Sequence, residues 1–255
     1  MEHISLASTI GPIDAGIVAL LEDSFEKKTG IKVEHVGAGT AEALKLGRTG
    51  RFDLVLVHAK PLEEQFIADG FGTRRIDLMY NDFIITGPPE DPAGISGIDV
   101  SAKALRRIRQ AGCLFVSRGD YSGTHVKELE LWKAAGISPE GSWYRVYEKG
   151  AAGNVKTLLY TNEQRAYTII DRATYLTTMD RITLKVLVEK DVALLNFITM
   201  IPVNKERFPQ VKSDLAQRFI EFCISAEGQV LIRDFGKDIY GAPLFFPNSE
   251  TGKSL

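Results

Sequence analysis

Short apolar strands alternate with helical segments through the first ninety residues, and this alternation constrains the fold more than any other feature. The segments that read as strands are ISLAST (4–9), IKVEHVG (31–37) and FDLVLVHA (52–59). Helical apolar spacing follows over 17–30, 41–50 and 61–70. The glycine-containing segment IGPIDAG (10–16) is expected to be a loop. Repeated strand–helix units predict an α/β fold with a parallel, doubly wound sheet.

Two later segments read as strands that cross between lobes. NDFIITG (81–87) runs into a segment rich in proline, which continues neither a helix nor a central strand. DVALLNFITMIPVN (191–204) is a second crossover, and the segment after it (213–236) is expected to form long helices. Two crossovers predict a discontinuous first lobe (1–84 and 200–255) around a continuous second lobe (85–199), with a cleft between them.

Charge and motif content exclude several function classes. The chain has 31 basic and 33 acidic residues, a net charge of −2, and it lacks the basic excess of a nucleic-acid binder. A net charge close to zero does not argue against a local anion-binding pocket. The four histidines have no metal-ligand spacing, and no nucleophile elbow, P-loop or paired CxxC occurs. We therefore expect neither a metal centre nor a cofactor.

The chain contains no targeting or membrane signal. No window approaches the 18 or more apolar residues of a membrane helix. The first residues, MEHISLAST, have neither a basic region nor a following apolar run, as a secretory signal would. We expect a mature domain whose targeting segment is absent.

Ligands of open α/β sheets bind beyond the carboxyl ends of the strands, so the loops there identify candidate site residues. Small and hydroxyl residues precede a helix in three of them: Ser8-Thr9, the GAGT segment ending at Thr40, and Ser117–Thr124. A helix N-terminus offers free N–H donors and a positive dipole end to an anion. For Ser8, Thr9 and Thr40, ordinary helix capping is the more frequent explanation.

The segment from Arg118 to Thr124 contains more polar and charged side chains than a helix cap requires. It places an arginine, the hydroxyls of Ser122 and Thr124, and Gly123 between a strand and a helix. A guanidinium is a planar fork that suits oxyanions, and glycine lets the backbone approach a ligand. These residues favour an oxyanion site.

Several motifs in consistent order resemble the tungstate-binding proteins of ABC transporters. They are SRGDYSGTH (117–125), a WY pair (143–144), YNDFIITGPPEDPAGI (80–95), ALKLGR (43–48) and YTIIDRATY (167–175). The resemblance covers nearly the whole chain. It implies a type II periplasmic-binding-protein fold, with two doubly wound lobes joined by two crossover strands.

The resemblance also implies a function. A tetrahedral oxyanion, most simply tungstate, would bind between the lobes for delivery to a membrane permease. The family's motif residues fall on Thr9, Arg118, Ser122 and Thr124, with Ser8 beside them. The chain would be a monomer outside the cytoplasm, either periplasmic or membrane-anchored. One departure is clear: the family's first loop is typically TTTS, whereas this chain has Ile10 and Gly11 at the last two positions.

Two functions from other classes remain open. A transferase or lyase on the same scaffold could use Arg118 to hold a phosphate or carboxylate, with Asp120 as the local base. A ligand-sensing domain of a regulator also fits the fold, although no DNA-binding module is visible. His58 and His125 are expected to be neutral structural histidines. Asp171 and Arg172 are expected to form a structural ion pair.

Overall fold

The computed structural model describes residues 2–254, and within that range the chain forms ten strands and eleven α-helices. The strands are β1 (His3–Thr9), β2 (Lys32–Ala38), β3 (Leu54–Val57), β4 (Ile76–Gly87), β5 (Phe115–Ser117), β6 (Tyr144–Val146), β7 (Thr168–Asp171), β8 (Lys185–Val188), β9 (Leu195–Pro202) and β10 (Phe246–Pro247). The helices are α1 (Ile10–Ala15), α2 (Ile17–Thr29), α3 (Thr40–Gly47), α4 (Lys60–Ala68), α5 (Ser101–Gln110), α6 (Gly123–Ala135), α7 (Asn154–Glu163), α8 (Arg172–Thr178), α9 (Ser213–Ile224), α10 (Ala226–Asp234) and α11 (Lys237–Tyr240).

The described chain divides into two compact units, which the backbone connects twice. Unit 1 comprises residues 2–80 and 197–254, and unit 2 comprises residues 81–196. Strand β4 carries the chain out of unit 1, and β9 carries it back. The sequence-based boundaries, 84/85 and 199/200, lie within these same two strands.

Unit 1 is built on a sheet whose central strands are parallel. The strand order is β10-β4-β9-β3-β1-β2, and β1 pairs in parallel with both β2 and β3. All four residues of β3 are buried, as expected for a strand covered on both faces. The sheet is mixed rather than wholly parallel, because β9 returns antiparallel to β3 and β10 pairs antiparallel with β4.

Unit 2 has its own sheet and its own core. The second half of β4 pairs antiparallel with β7 and β8, while β5 pairs in parallel with β6 and is bridged to Tyr167 just before β7. Phe115 and Trp132 pack edge to face, with ring centroids 5.0 Å apart, and Trp132 packs similarly on Trp143 at 5.3 Å. Aromatic burial of this kind anchors β5 and α6 against each other.

Two local predictions were wrong in detail, those for 10–16 and 191–204, whereas the helices predicted over 213–236 are present. The segment IGPIDAG is a helix, α1, rather than a loop, because Pro12 lies in its first turn and Gly16 ends it in the left-handed conformation, with φ 91°. The stretch 213–236 is broken into α9 and α10 at Ser225, whose hydroxyl accepts from Gly228 N at 3.3 Å. In 191–204, only Leu195–Pro202 is a strand, and a 3-10 turn (Val192–Leu194) precedes it.

Across residues 2–254, we find no helix with the length and apolar character that a bilayer crossing demands.

Candidate functional site

Three predicted site residues of unit 1 lie at or just beyond the C-terminal ends of two neighbouring strands of its sheet. Ser8 and Thr9 are the last residues of β1. Parallel pairing sets Thr9 opposite Ala38, and α3 begins two residues further on, at Thr40. The strand ends therefore bring these three hydroxyl residues to the same region of unit 1.

Helix capping does not account for the two threonine hydroxyls. Thr9 is the N-cap residue of α1 and Gly39 is that of α3, yet neither cap has a side-chain hydrogen bond. Thr9 Oγ1 and Thr40 Oγ1 are both buried, and neither has a hydrogen-bond partner among residues 2–254. Ser8 Oγ, in contrast, donates to the Thr9 carbonyl at 3.1 Å. A buried hydroxyl without a partner costs about 1–3 kcal/mol, so such atoms call for an explanation.

In unit 2, Arg118 is held in a defined orientation by its own neighbours. It follows directly after β5, and its side chain is only 12% exposed. Its Nη2 donates to an Asp120 carboxylate oxygen, and its Nη1 donates to Asn154 Oδ1. Its Nε is buried and unpartnered within the described chain. Two of the five N–H groups of the guanidinium therefore have acceptors within residues 2–254, and among the others the Nε–H is buried without one.

Ser122 and Thr124 lie at the beginning of α6, and their roles differ. Ser122 is a genuine cap, since its hydroxyl accepts from His125 N at 3.4 Å. Thr124 is buried and donates its hydroxyl to Asn154 Oδ1 at 3.1 Å. The N-terminus of this 13-residue helix adds its positive dipole end to the same region.

Asp120 is a poor candidate for a catalytic base. Burial acts to raise the pKa of its carboxyl, but hydrogen bonds from Ser122 and the charge of Arg118 outweigh burial and hold this pKa below its usual value. A general base works best with a pKa near the operating pH. Asp120 is instead a permanently charged partner of Arg118.

A glycine makes the position of Arg118 possible. A Cβ on Gly150 would lie 1.9 Å from the Arg118 carbonyl oxygen, so only glycine fits there. The same short segment ends at Gly153, which is the N-cap residue of α7 and has a φ of +105°. The close approach of this backbone brings Asn154, the first residue of α7, to the guanidinium.

The side chains of two residues outside the predicted donor set, Asn154 and Asp171, also belong to this site. Asp171 was expected to pair with Arg172, which is wrong: Asp171 caps α8 and accepts from Asn154 Nδ2 at 2.6 Å. Arg172 pairs with Asp82 at 2.6 Å and with Glu189 at 2.7 Å. The position of Asp171 before a predicted helix could have indicated its role, because Asp is a preferred N-cap residue and its carboxylate is then a hydrogen-bond acceptor at a fixed place.

The two histidines near the predicted site lie in different units. His125 is buried in unit 2, and its Nδ1 accepts from Tyr121 N at 2.9 Å. Burial lowers its pKa, and the Arg118 charge adds to this while Asp120 opposes it. His125 is thus a neutral structural side chain, in line with the prediction. His58 is partly buried just after β3 in unit 1. Within 2–254, no cluster of three or more His, Cys, Asp or Glu side chains could hold a metal ion.

Comparison with known proteins extends over nearly the whole chain. A model of the PBP superfamily domain matches residues 4–227. The tungstate-binding protein TupA of Peptoclostridium acidaminophilum is 43% identical over 249 residues, which is 96% of this chain and 86% of that protein. A putative ABC transporter anion-binding protein of Haloferax volcanii is 41% identical over 253 residues, 97% of this chain and 72% of that protein.

Comparison with solved structures agrees with the sequence. The tungstate-binding protein TupA from Desulfovibrio alaskensis G20 superposes with a TM-score of 0.90 at 41% identity, covering 98% of this chain and 100% of that one. The type II binding-protein fold is therefore confirmed. These three relatives are named as binding proteins, and the transferase or lyase alternative has no support. The chain belongs to the PBP superfamily and, within it, to the TupA family of tungstate-binding proteins of ABC transporters.

Proposed function

We propose that this chain is the substrate-binding protein of an ABC transporter and that its substrate is a tetrahedral oxyanion, foremost tungstate. The names of its relatives support the substrate class. Family membership supports an extracytoplasmic location and a membrane permease as partner. We further propose that the chain acts as a monomer, either free in a periplasm or anchored to a membrane surface.

One observation carries the proposal. Thr9 Oγ1, Thr40 Oγ1 and Arg118 Nε are buried polar atoms without partners among residues 2–254, and all three belong to residues predicted to bind the anion. Each has a proton to donate. A fully deprotonated dianion such as tungstate offers only acceptors, so this set of donors complements it.

The proposed donors are sufficient for tight binding. Neutral hydrogen bonds contribute about 0.5–1.5 kcal/mol each, and charge-assisted ones about 1.5–3 kcal/mol. Thr9, Thr40, Arg118 and Ser122, together with helix N–H groups, can then reach the roughly 8 kcal/mol of micromolar binding and exceed it. Ser8 and Thr124 join this set when their hydroxyls turn from the Thr9 carbonyl and from Asn154 to the anion.

The proposal assigns donors from both units to one anion. An oxyanion that contacts both units binds the closed state better than the open one, and this difference in affinity shifts the equilibrium towards closure. A crystal structure with tungstate tests this directly. Contacts from both Thr9 and Arg118 to the same anion are expected; contacts from one unit alone would contradict capture by closure.

Isothermal titration calorimetry tests the function itself. Tungstate should bind the intact chain with submicromolar affinity, and Arg118→Gln should weaken binding at least 100-fold because the only guanidinium assigned to the anion is lost. Arg181→Gln, an exposed arginine of unit 2, is the matched control and should bind as the parent does. Unchanged binding by Arg118→Gln would refute the site.

Competition between anions tests the identity of the ligand. Titrations with tungstate, molybdate, sulfate and phosphate under one set of conditions should rank tungstate among the tightest and phosphate far below it. Phosphate carries a proton near neutral pH and leaves a donor facing a site built mainly of donors. Equal affinity for sulfate or phosphate would reject tungstate as the substrate.

A further inference from the structure

The carboxamide of Asn154 joins four separate segments of unit 2. Its Oδ1 accepts from Arg118 Nη1, in the loop after β5, and from Thr124 Oγ1, in the first turn of α6, at 3.1 Å. Its Nδ2 donates to Asp171 Oδ2, at the start of α8, at 2.6 Å. Asn154 itself is the first residue of α7. The group therefore lies between two of the predicted anion-binding side chains and a helix cap.

The chemistry of the neighbours decides which way the amide faces. Asp171 Oδ1 accepts from Thr174 N at 2.8 Å, and its Oδ2 accepts from Thr174 Oγ1 at 2.6 Å. A carboxylate offers only acceptors and a guanidinium only donors. The NH₂ of Asn154 must therefore face Asp171, and its oxygen must face Arg118 and Thr124.

This fixed amide leaves Arg118 with one preferred orientation. Asp120 holds Nη2 from one side and Asn154 holds Nη1 from the other. Two anchors on different segments set both the position and the plane of the guanidinium, and its buried Nε–H remains without a partner within residues 2–254. Without Asn154, the one remaining hydrogen-bond partner of the fork among residues 2–254 would be Asp120, two residues away in the chain.

We propose that Asn154 is a positioning residue of the oxyanion site: oriented by Asp171, it presents one acceptor that aligns Arg118 for the anion. This inference rests on the proposed function. Asn154 need not touch the ligand with its side chain, because its effect passes through Arg118.

The first experiment compares two asparagines of the same helix. Asn154→Leu removes the acceptor at similar volume, and Asn162→Leu removes a comparable one at the other end of α7, where Asn162 Oδ1 accepts from Thr183 N at 2.8 Å. Calorimetric titration of the full chain with sodium tungstate should show at least tenfold weaker binding for Asn154→Leu and less than twofold change for Asn162→Leu. Parent-like affinity in Asn154→Leu would overturn the inference.

A second experiment separates positioning from a general structural effect. In an Arg118→Lys background, the guanidinium fork is gone, so adding Asn154→Leu should weaken tungstate binding by less than threefold. A purely structural role of Asn154 would give the same loss in both backgrounds, and that result would overturn the inference.

Asp171→Asn keeps the test valid if Asn154→Leu does not fold. Asparagine still caps a helix, so the fold is preserved, but it no longer forces the Asn154 amide into one orientation. Tungstate binding at least threefold weaker is expected, and unchanged binding counts against the inference. If the parent chain itself does not bind tungstate, the proposed function fails instead, which separates the two outcomes.

Discussion

At Thr9 and Thr40, the proposed role in binding an anion conflicts with the stability of the fold. Both hydroxyls are buried without partners in the described chain, although each could have been replaced by a methyl group of the same size. A buried polar group without a hydrogen bond destabilises the fold. Retaining such groups where anion donors are needed is what a binding site requires and what a purely structural core does not.

Thr9→Val should therefore separate the two effects. The free protein should become more stable by about 1 kcal/mol, seen as a melting temperature about 2–4 °C higher, because an unpaired hydroxyl is removed. Tungstate affinity should fall about tenfold. Calorimetric melting without ligand and titration with tungstate measure the two quantities.

Thr161→Val is the control for this substitution. Thr161 is also fully buried, but its hydroxyl donates to the Thr157 carbonyl at 2.8 Å. It should lower the melting temperature and leave tungstate affinity unchanged. Destabilisation of the free protein by both variants would show that Thr9 has an internal partner after all.

At the scale of elements, α6 carries both residues of the proposed oxyanion site and a buried acid. Thr124 and Glu128 are four residues apart and lie on the same face of the helix. Glu128 is 2% exposed, and its Oε1 accepts from Tyr144 Oη at 2.7 Å and from Trp132 Nε1 at 3.3 Å. Burial raises the pKa of this carboxyl to about 7, although these hydrogen bonds oppose the shift.

The raised pKa makes stability depend on pH in a predictable direction. Below the ordinary value of 4.5, Glu128 is neutral in both the folded and unfolded states. Between 4.5 and about 7 the folded state holds the proton that the unfolded state has released, so folding loses stability as pH rises through this window. A shift of this size corresponds to about 3 kcal/mol.

Glu128→Gln should abolish this pH dependence. The amide mimics the neutral acid, so the variant should match the parent near pH 4.5 and exceed its stability at pH 8 by up to about 3 kcal/mol. Urea unfolding at pH values from 4.5 to 8 measures the difference. Glu130→Gln, two residues away on the exposed side of α6, should follow the parent. A constant difference across the range would contradict the assignment.

The short segment before α7 also makes a testable contribution. Gly150→Ala should destabilise the chain by about 2 kcal/mol or more and weaken tungstate binding, because its Cβ would push against the Arg118 carbonyl. Gly11→Ala is the control for stability. No atom of the described chain lies within 4 Å of a Cβ there, and alanine favours the helical conformation of α1, so the free energy of unfolding should rise by up to about 1 kcal/mol. Equal effects of both substitutions on melting would contradict this account.

At the scale of the molecule, each unit presents its own part of the proposed donor set. Unit 1 holds Ser8, Thr9 and Thr40, while unit 2 holds Arg118, Ser122 and Thr124. The backbone connects the two units twice, because β4 and β9 both pass from one unit to the other. A ligand shared by both parts should stabilise the whole molecule against unfolding.

Tungstate should consequently raise the melting temperature of the intact chain. The stabilisation follows RT ln(1 + [L]/Kd), about 2.7 kcal/mol at 100 times Kd. A thermal unfolding series in tungstate should follow this logarithm, whereas phosphate at the same concentration should leave the melting temperature unchanged. Equal stabilisation by both anions would point to non-specific anion binding.

The sequence by itself determined the alternation of strands and helices, the two crossings, and the loops that carry hydroxyls and Arg118. These follow from local signals, namely apolar periodicity, glycine and proline, which act within a few residues. Helix α1 was not predicted because the glycines of this segment are typical of a loop. A glycine in the left-handed conformation, such as Gly16, also commonly ends a short helix.

Only the tertiary structure decided which of these groups have partners. Asn154 lies 36 residues from Arg118 and 17 from Asp171, and no local pattern foretells that one carboxamide joins them. Likewise, a threonine before a helix usually caps it, and the absence of a cap bond at Thr9 depends on how the surrounding backbone packs. Hydrogen-bond partners are set by contacts between distant segments, and these contacts exist only in the folded chain.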